Sequence, residues 1–267
     1  MKRFISIAGI LLVLFAVSYA FAAATYTPIT DVSRITDIQG IYETSATQKF
    51  PLGTRIVVDE RTFRYSKAGG NLVRNLGGQN YSQWPINAAV LATSAIGATT
   101  VTVAETTCAV NYYQDGWIVF FTSPMQWRRI VSNTVSNGTS CVLTLDGALE
   151  AAVTKDTTFA TGYPSIYADV RQAVSPAGYN TVVCIPLVTV ASGSYFWGQT
   201  WGPCYAVADG TVPGSAIDKR DLYWAQSGNV EPYGDANAGV GGQVAGYVIP
   251  RTASGSGDQF FMLQLSP

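Results

Sequence analysis

The sequence predicts a mainly β fold: two β-sandwich or barrel-like modules preceded by an extended N-terminal arm. Three observations predict it. Apolar residues recur at every second position through several short runs, dipeptides that tolerate positive φ separate those runs, and stretches with helical period are scarce.

The chain opens with a targeting pattern. Lys2 and Arg3 form a positive start, the uncharged run from Phe4 to Ala24 supplies an apolar stretch, and Ala20-Phe21-Ala22 or Ala22-Ala23-Ala24 offers small residues around a cleavage point. Residues 1–24 are expected to be a signal peptide and the chain to be exported. Uncleaved, the same 21 uncharged residues are just long enough to anchor in a bilayer, which would be the protein's only membrane contact.

Residues 25–80 read as an extended arm and a first hairpin, in which Arg55-Ile56-Val57-Val58 turns through Asp59-Glu60 into Arg61-Thr62-Phe63-Arg64-Tyr65. That turn lacks glycine. Residues 81–163 form a middle β module. There Thr99-Thr100-Val101-Thr102-Val103 alternates Val with Thr, and Cys141-Val142-Leu143-Thr144-Leu145 places Cys141, Leu143 and Leu145 on one face. Asn137-Gly138 lies between Ile130-Val131 and Cys141-Val142 and predicts a hairpin.

Residues 164–267 form a C-terminal β module. A short helix capped by Ser165 is expected over residues 165–173, after one helical turn over residues 147–153. The Ser-Pro-Ala-Gly stretch at residues 175–178 marks where the β body begins. From Tyr195 to Trp201, alternation puts Tyr195, Trp197 and Trp201 on one side and Phe196 and Thr200 on the other. Phe260-Phe261-Met262-Leu263-Gln264-Leu265 is the closing strand. Further turn signals are Ala68-Gly69-Gly70, Asp146-Gly147, Asp209-Gly210 and Gly241-Gly242. No repeat of fixed period is present.

Composition narrows the function classes. Of the 267 residues 48% are hydrophobic, ample for a large core, while only 12% are charged and another 12% aromatic. The low charge leaves Thr, Ser, Asn, Gln and Gly to cover the surface, which suits packed assemblies. Net charge is −1, and removing Lys2 and Arg3 leaves 14 basic residues against 17 acidic ones. No nucleic-acid partner is expected, because phosphate binding needs a cluster of uncompensated cations. Arg outnumbers Lys by 11 to 5, which favours bidentate contacts at protein interfaces.

The chain has no histidine, which removes the commonest general base and the histidine-dependent triads and metal sites. A carboxylate pair drawn from acids such as Asp115, Asp146, Asp209, Asp221 and Asp235 is the remaining catalytic option, but several of these sit in turns. Phosphate-cradling, dinucleotide and nucleophile-elbow motifs are lacking. The glycine-rich residues 253–258 read as a loop, with ion binding by Asp258 only a minor alternative. Asn137-Gly138-Thr139 matches a glycosylation triplet but needs no reading beyond its turn. No enzyme activity, cofactor or metal is expected.

The four cysteines, Cys108, Cys141, Cys184 and Cys204, are compatible with two disulfides in an exported chain. The sequential pairing closes the shortest loops; four buried thiols are the alternative. Tyr195, Trp197, Trp201, Tyr205, Tyr223 and Trp224 are candidates for subunit contacts or for stacking on sugar rings, with core packing the plainer role.

Several segments resemble structural proteins of tailed-bacteriophage virions. These are Glu43-Thr44-Ser45-Ala46-Thr47-Gln48-Lys49-Phe50-Pro51-Leu52-Gly53-Thr54-Arg55 and Phe63-Arg64-Tyr65-Ser66-Lys67-Ala68-Gly69-Gly70, with Tyr113-Gln114-Asp115-Gly116-Trp117-Ile118 and Leu143-Thr144-Leu145-Asp146-Gly147-Ala148-Leu149 following in order. Tyr195-Phe196-Trp197-Gly198-Gln199-Thr200-Trp201-Gly202-Pro203 resembles the C-terminal module of that group. The resemblance implies a non-enzymatic virion component, a capsid decoration or head-associated subunit whose partners are copies of itself and other structural subunits. A secreted bacterial surface or filament subunit and a carbohydrate-binding module are the alternatives.

Overall fold

Short β-branched and aromatic runs broken by Gly, Asn and Asp turns cannot sustain helices and pair as antiparallel strands instead. The computed structural model describes residues 38–81, 85–173, 181–208, 220–232, 242–249 and 259–267. The targeting segment, residues 25–37 of the expected arm, the boundary at 175–178, Asp209-Gly210, Asp235, Gly241 and the glycine-rich residues 253–258 lie outside them. Residues 39–267 form one compact unit of two curled antiparallel sheets, each a half-barrel.

The strands in chain order are β1 (Thr44–Ser45), β2 (Arg55–Val58), β3 (Arg61–Lys67), β4 (Gly78–Asn80), β5 (Ile86–Ala89), β6 (Thr100–Ala104), β7 (Trp117–Phe120), β8 (Gln126–Asn133) and β9 (Ser140–Leu145). They continue as β10 (Phe159–Tyr163), β11 (Val170–Gln172), β12 (Val182–Pro186), β13 (Tyr195–Ala206), β14 (Asp221–Trp224), β15 (Val230–Pro232), β16 (Val244–Val248) and β17 (Gln259–Gln264). The smaller sheet has the order β5-β10-β7-β8-β9-β6; all the other strands belong to the larger one.

Both expected hairpins form. Val58 pairs with Arg61 across Asp59-Glu60, and Asp59 takes the positive φ (55°) that a glycine would otherwise supply. Between β8 and β9, Gly138 has φ 91° while the Asn137 side-chain oxygen accepts the N–H groups of Thr139 and Ser140. The expected helix over residues 165–173 does not form. Ser165 instead caps a single turn, accepting the Ala168 N–H on its carbonyl, and the chain then enters β11. Residues 147–153 likewise make no helical turn; Val153 bridges to Ser94. Neither stretch is long enough to nucleate a helix against competing strand pairs.

The strands β1 to β4, from the expected arm and first hairpin, share one sheet with β11 to β17. The hub is β13, which pairs with β3 along its first half and with β17 along its second. Residues 86–163 are inserted between β4 and β11, and those two strands pair directly, Asn80 opposite Val170. Each sheet encloses its own core. Ile86, Ile118, Phe120, Ile130, Leu143 and neighbours fill the smaller, and Ile185, Leu222, Trp224, Val248, Phe261 and Leu263 the larger.

A partly buried strap ties the inserted sheet to the host. Asp115, at φ 62°, accepts the Leu52 N–H at 2.8 Å and an Arg129 guanidinium N–H at 2.9 Å. Arg129 in turn donates to the Leu52 carbonyl at 3.2 Å, and Gln48 donates to Asp115 at 3.3 Å. Asp146 accepts the Arg129 backbone N–H. Both acids thus accept hydrogen bonds from the chain.

Candidate functional site

The six aromatic residues singled out from the sequence do not form one surface. Trp197 is buried, donating its indole N–H to the Gln39 carbonyl and packing against Tyr65 and Phe50. Trp224 is core in the larger sheet. Trp201, Tyr205 and Tyr223 are half-buried, Tyr205 against the edge of Phe260. The expected shared face of Tyr195, Trp197 and Trp201 is broken by a bulge. Gln199 pairs with Phe63 but Trp201 with Thr62, so two residues of β13 match one step of β3 and Trp201 turns to the opposite face from Trp197.

All four cysteines are free and buried in this structure. Ile185 pairs with Gln199, which sets Cys184 opposite Thr200, so Cys204 lies four residues further along β13. That is roughly 13 Å of strand, well beyond the reach of a disulfide. Cys184 instead packs against Gly198, where an added Cβ would come within 2.5 Å of its sulfur. Burial pushes the Cys184 and Cys204 thiols up to about 12. Cys108 and Cys141 are neighbours in the smaller core, as a hydrogen-bonded pair of thiols whose pKa values burial also raises.

Two surface features were not singled out from the sequence. The first is the outer face of the smaller sheet. Register places Tyr163 (β10), Trp117 (β7) and Arg129 (β8) in one row, and Thr161, Val119 and Trp127 in the next. Phe121 donates its N–H to the Phe159 carbonyl and continues a third row towards Met125. Six large side chains stand out here, from Trp127 at 65% exposed through Met125, Trp117, Tyr163 and Phe159 to Phe121 at 47%. The local signal was Trp117-Ile118-Val119-Phe120, apolar on both faces. Ile118 and Phe120 take the core, and the other face is left in solvent.

The second feature is a cleft of about 770 Å³ at the junction of the two sheets. Tyr81 and Arg171 line it from the larger sheet, Tyr112 and Tyr163 from the smaller, and Lys67 and Tyr195 close it. The Arg171 guanidinium lies 3.6 Å from the centre of the Tyr81 ring while donating twice to Asp169, at 3.0 and 3.1 Å. Those hydrogen bonds raise the Arg171 pKa, with Coulombic attraction to Asp169 adding to them. Lys67 Nζ sits 5.6 Å from the centre of the Tyr195 ring, and that ring stacks on Tyr65. Tyr112 meets Tyr113 edge-on. Asn80, Asn111 and Gln114 add amides to the lining. Residues from segments this far apart leave no local pattern, and only Tyr195 was among the sequence candidates.

Among the described residues, no three His, Cys, Asp or Glu side chains gather as a metal-binding group. No protein-family model, curated protein or solved structure matches this chain, so its resemblance to tailed-phage structural proteins stands on the short motifs alone.

Proposed function

We propose that this chain is a non-enzymatic structural subunit of a multi-copy assembly, and that the assembly is the virion of a tailed bacteriophage, with the chain as a capsid decoration or head-associated protein. The observation that carries the assembly role is the exposed aromatic face of the smaller sheet. At about 200 Å² for each large side chain, six of them roughly half exposed present on the order of 600 Å² of apolar surface. That equals or exceeds the largest patch of a typical monomer, about 300–600 Å². With Val119 and Thr161 between them it approaches the roughly 800 Å² per partner of a stable interface. The occupant is a second copy of this chain. A twofold rotation brings this antiparallel face against its own copy, so that its two tryptophans and two phenylalanines would meet their symmetry mates.

Two further observations support the reading. The described acids Asp115 and Asp146 are engaged in holding the fold, and the chain has no histidine. Four buried free thiols favour assembly in a reducing compartment over a disulfide-braced secreted subunit.

Sedimentation velocity on the full chain tests the assembly role. Wild type is expected to associate with rising concentration, and Trp127→Glu with Phe159→Glu to sediment as a monomer of unchanged melting temperature. A wild type that stays monomeric up to about 100 μM would overturn the proposal. Mass spectrometry of purified particles then tests the destination. Abundance in virions supports the phage reading, and absence there with association intact favours the secreted filament.

A further inference from the structure

The cleft between the sheets is a binding site with chemistry of its own, and we infer that it takes an oligosaccharide. This goes beyond the assembly role and shares only Tyr163 with the exposed face.

The size fits first. A volume of about 770 Å³ falls within the range of small-ligand sites and holds a few sugar rings. The lining fits next. A pyranose presents flat C–H faces that stack on aromatic rings, with hydroxyl pairs around its rim that bond to planar amides, carboxylates and guanidinium groups. Tyr81 and Tyr163 offer rings that are 43% and 52% exposed, and Asn80, Asn111 and Gln114 supply amides beside them. Phenol hydroxyls at the ring edges add donors and acceptors, so one side chain serves both the apolar face and the polar rim.

The charge balance argues against the competing small ligands. Asp169 largely neutralises Arg171, leaving Lys67 as the lining cation outside that pair, held against the Tyr195 ring. A nucleotide or other phosphate ester would favour a cluster of uncompensated cations, whereas among the described lining residues only Lys67 stands outside the Arg171–Asp169 pair. A purely apolar ligand would strip water from the lining amides and from the Arg171–Asp169 pair without replacing it.

The site is also held in shape before any ligand arrives. Arg171 is fixed by two bonds to Asp169 and by the Tyr81 ring, Tyr195 by Tyr65, and Tyr112 by Tyr113. Tyr113 is itself clamped, its backbone N–H to the Asn133 side-chain oxygen at 2.7 Å and its hydroxyl to Glu105. Rings fixed in advance lose little entropy on binding, which is what a weakly binding polyol needs from its site.

Isothermal titration of the full-length protein with maltohexaose, cellohexaose, chitohexaose and a hexameric oligouronate tests the inference. At least one of these four is expected to bind, and Tyr81→Ala and Arg171→Ala each to weaken that binding at least about tenfold. Tyr81 is an exposed ring, so its removal tests the site even if Arg171→Ala alters the fold; melting temperatures check both. Trp127→Glu, outside the cleft, should leave sugar affinity unchanged while abolishing self-association, which separates this inference from the assembly proposal. Absence of binding by all four probes, or binding that survives both cleft substitutions, overturns it.

Discussion

Removing the Asp115 carboxylate should loosen the joint between the inserted sheet and its host. Asp115 is only 10% exposed and receives the Leu52 N–H and Arg129 together. A backbone N–H donating to a charged acceptor contributes about 1.5–3 kcal/mol. The Arg129 pair adds less, about 0.5–1 kcal/mol, because the Arg129 side chain is 35% exposed and screened by solvent. Position 115 has φ 62°, so an alanine there would add backbone strain and blur the result; glycine and asparagine both tolerate the conformation. Asp115→Gly, which removes every bond, is therefore expected to cost about 3 kcal/mol, or roughly 6–12 °C in Tm for a domain of this size. Asp115→Asn keeps an acceptor for Leu52 and loses only the charge, at about 1 kcal/mol. Urea unfolding followed by tryptophan fluorescence measures both. The reasoning fails if glycine is no worse than asparagine, or if both lie within about 0.5 kcal/mol of wild type.

Two other outcomes follow from the packing. The Cys184 and Cys204 thiols ionise at about 12 in the fold, against an ordinary value of 9.0, so the unfolded chain releases protons that the folded chain keeps. Their contribution is complete below pH 9.0 and is lost as pH rises towards about 12, at up to about 1.4 kcal/mol per pH unit for each thiol. Urea midpoints should accordingly fall less steeply between about pH 9 and pH 11 in Cys184→Ala and Cys204→Ala than in wild type. At Gly202, φ is 94° and an added Cβ would lie 2.2 Å from the Glu60 carbonyl oxygen, whereas at Gly138, φ 91°, it would meet open space. Gly202→Ala should cost more than about 3 kcal/mol and Gly138→Ala about 1 kcal/mol, read from chemical denaturation; equal effects would contradict the close approach.

The sequence was most legible where strands are covered on one face. Thr100 to Val103 and Cys141 to Leu145 alternate cleanly because one side of each meets the smaller core, and they pair as β6 and β9. Legibility failed where that contrast disappears. Residues 196–200 of β13 are buried on both faces, so alternation could not tell core from surface, and the bulge beyond Gln199 then inverted the parity that placed Trp201 beside Trp197. The outer face of the smaller sheet was missed for the converse reason: Trp117 and Phe120 look equally apolar, and only one of them is covered. The cleft depends on tertiary adjacency, bringing Tyr81, Tyr112, Arg171 and Tyr195 together from separate segments.

The pairing of β4 with β11 places the entry and exit of the inserted sheet side by side, with the Tyr81 N–H bonded to the Asp169 carbonyl at 3.0 Å. Closing an unstructured loop of that length would cost about 4 kcal/mol in chain entropy on a logarithmic scale. An insert with its own core and with its ends held together offsets that cost by its own packing. The host sheet then sees the insert as a short, closed staple. Such an arrangement lets the inserted sheet be exchanged, resized or redecorated without disturbing the host's strand order, making it the part of the molecule most free to diversify.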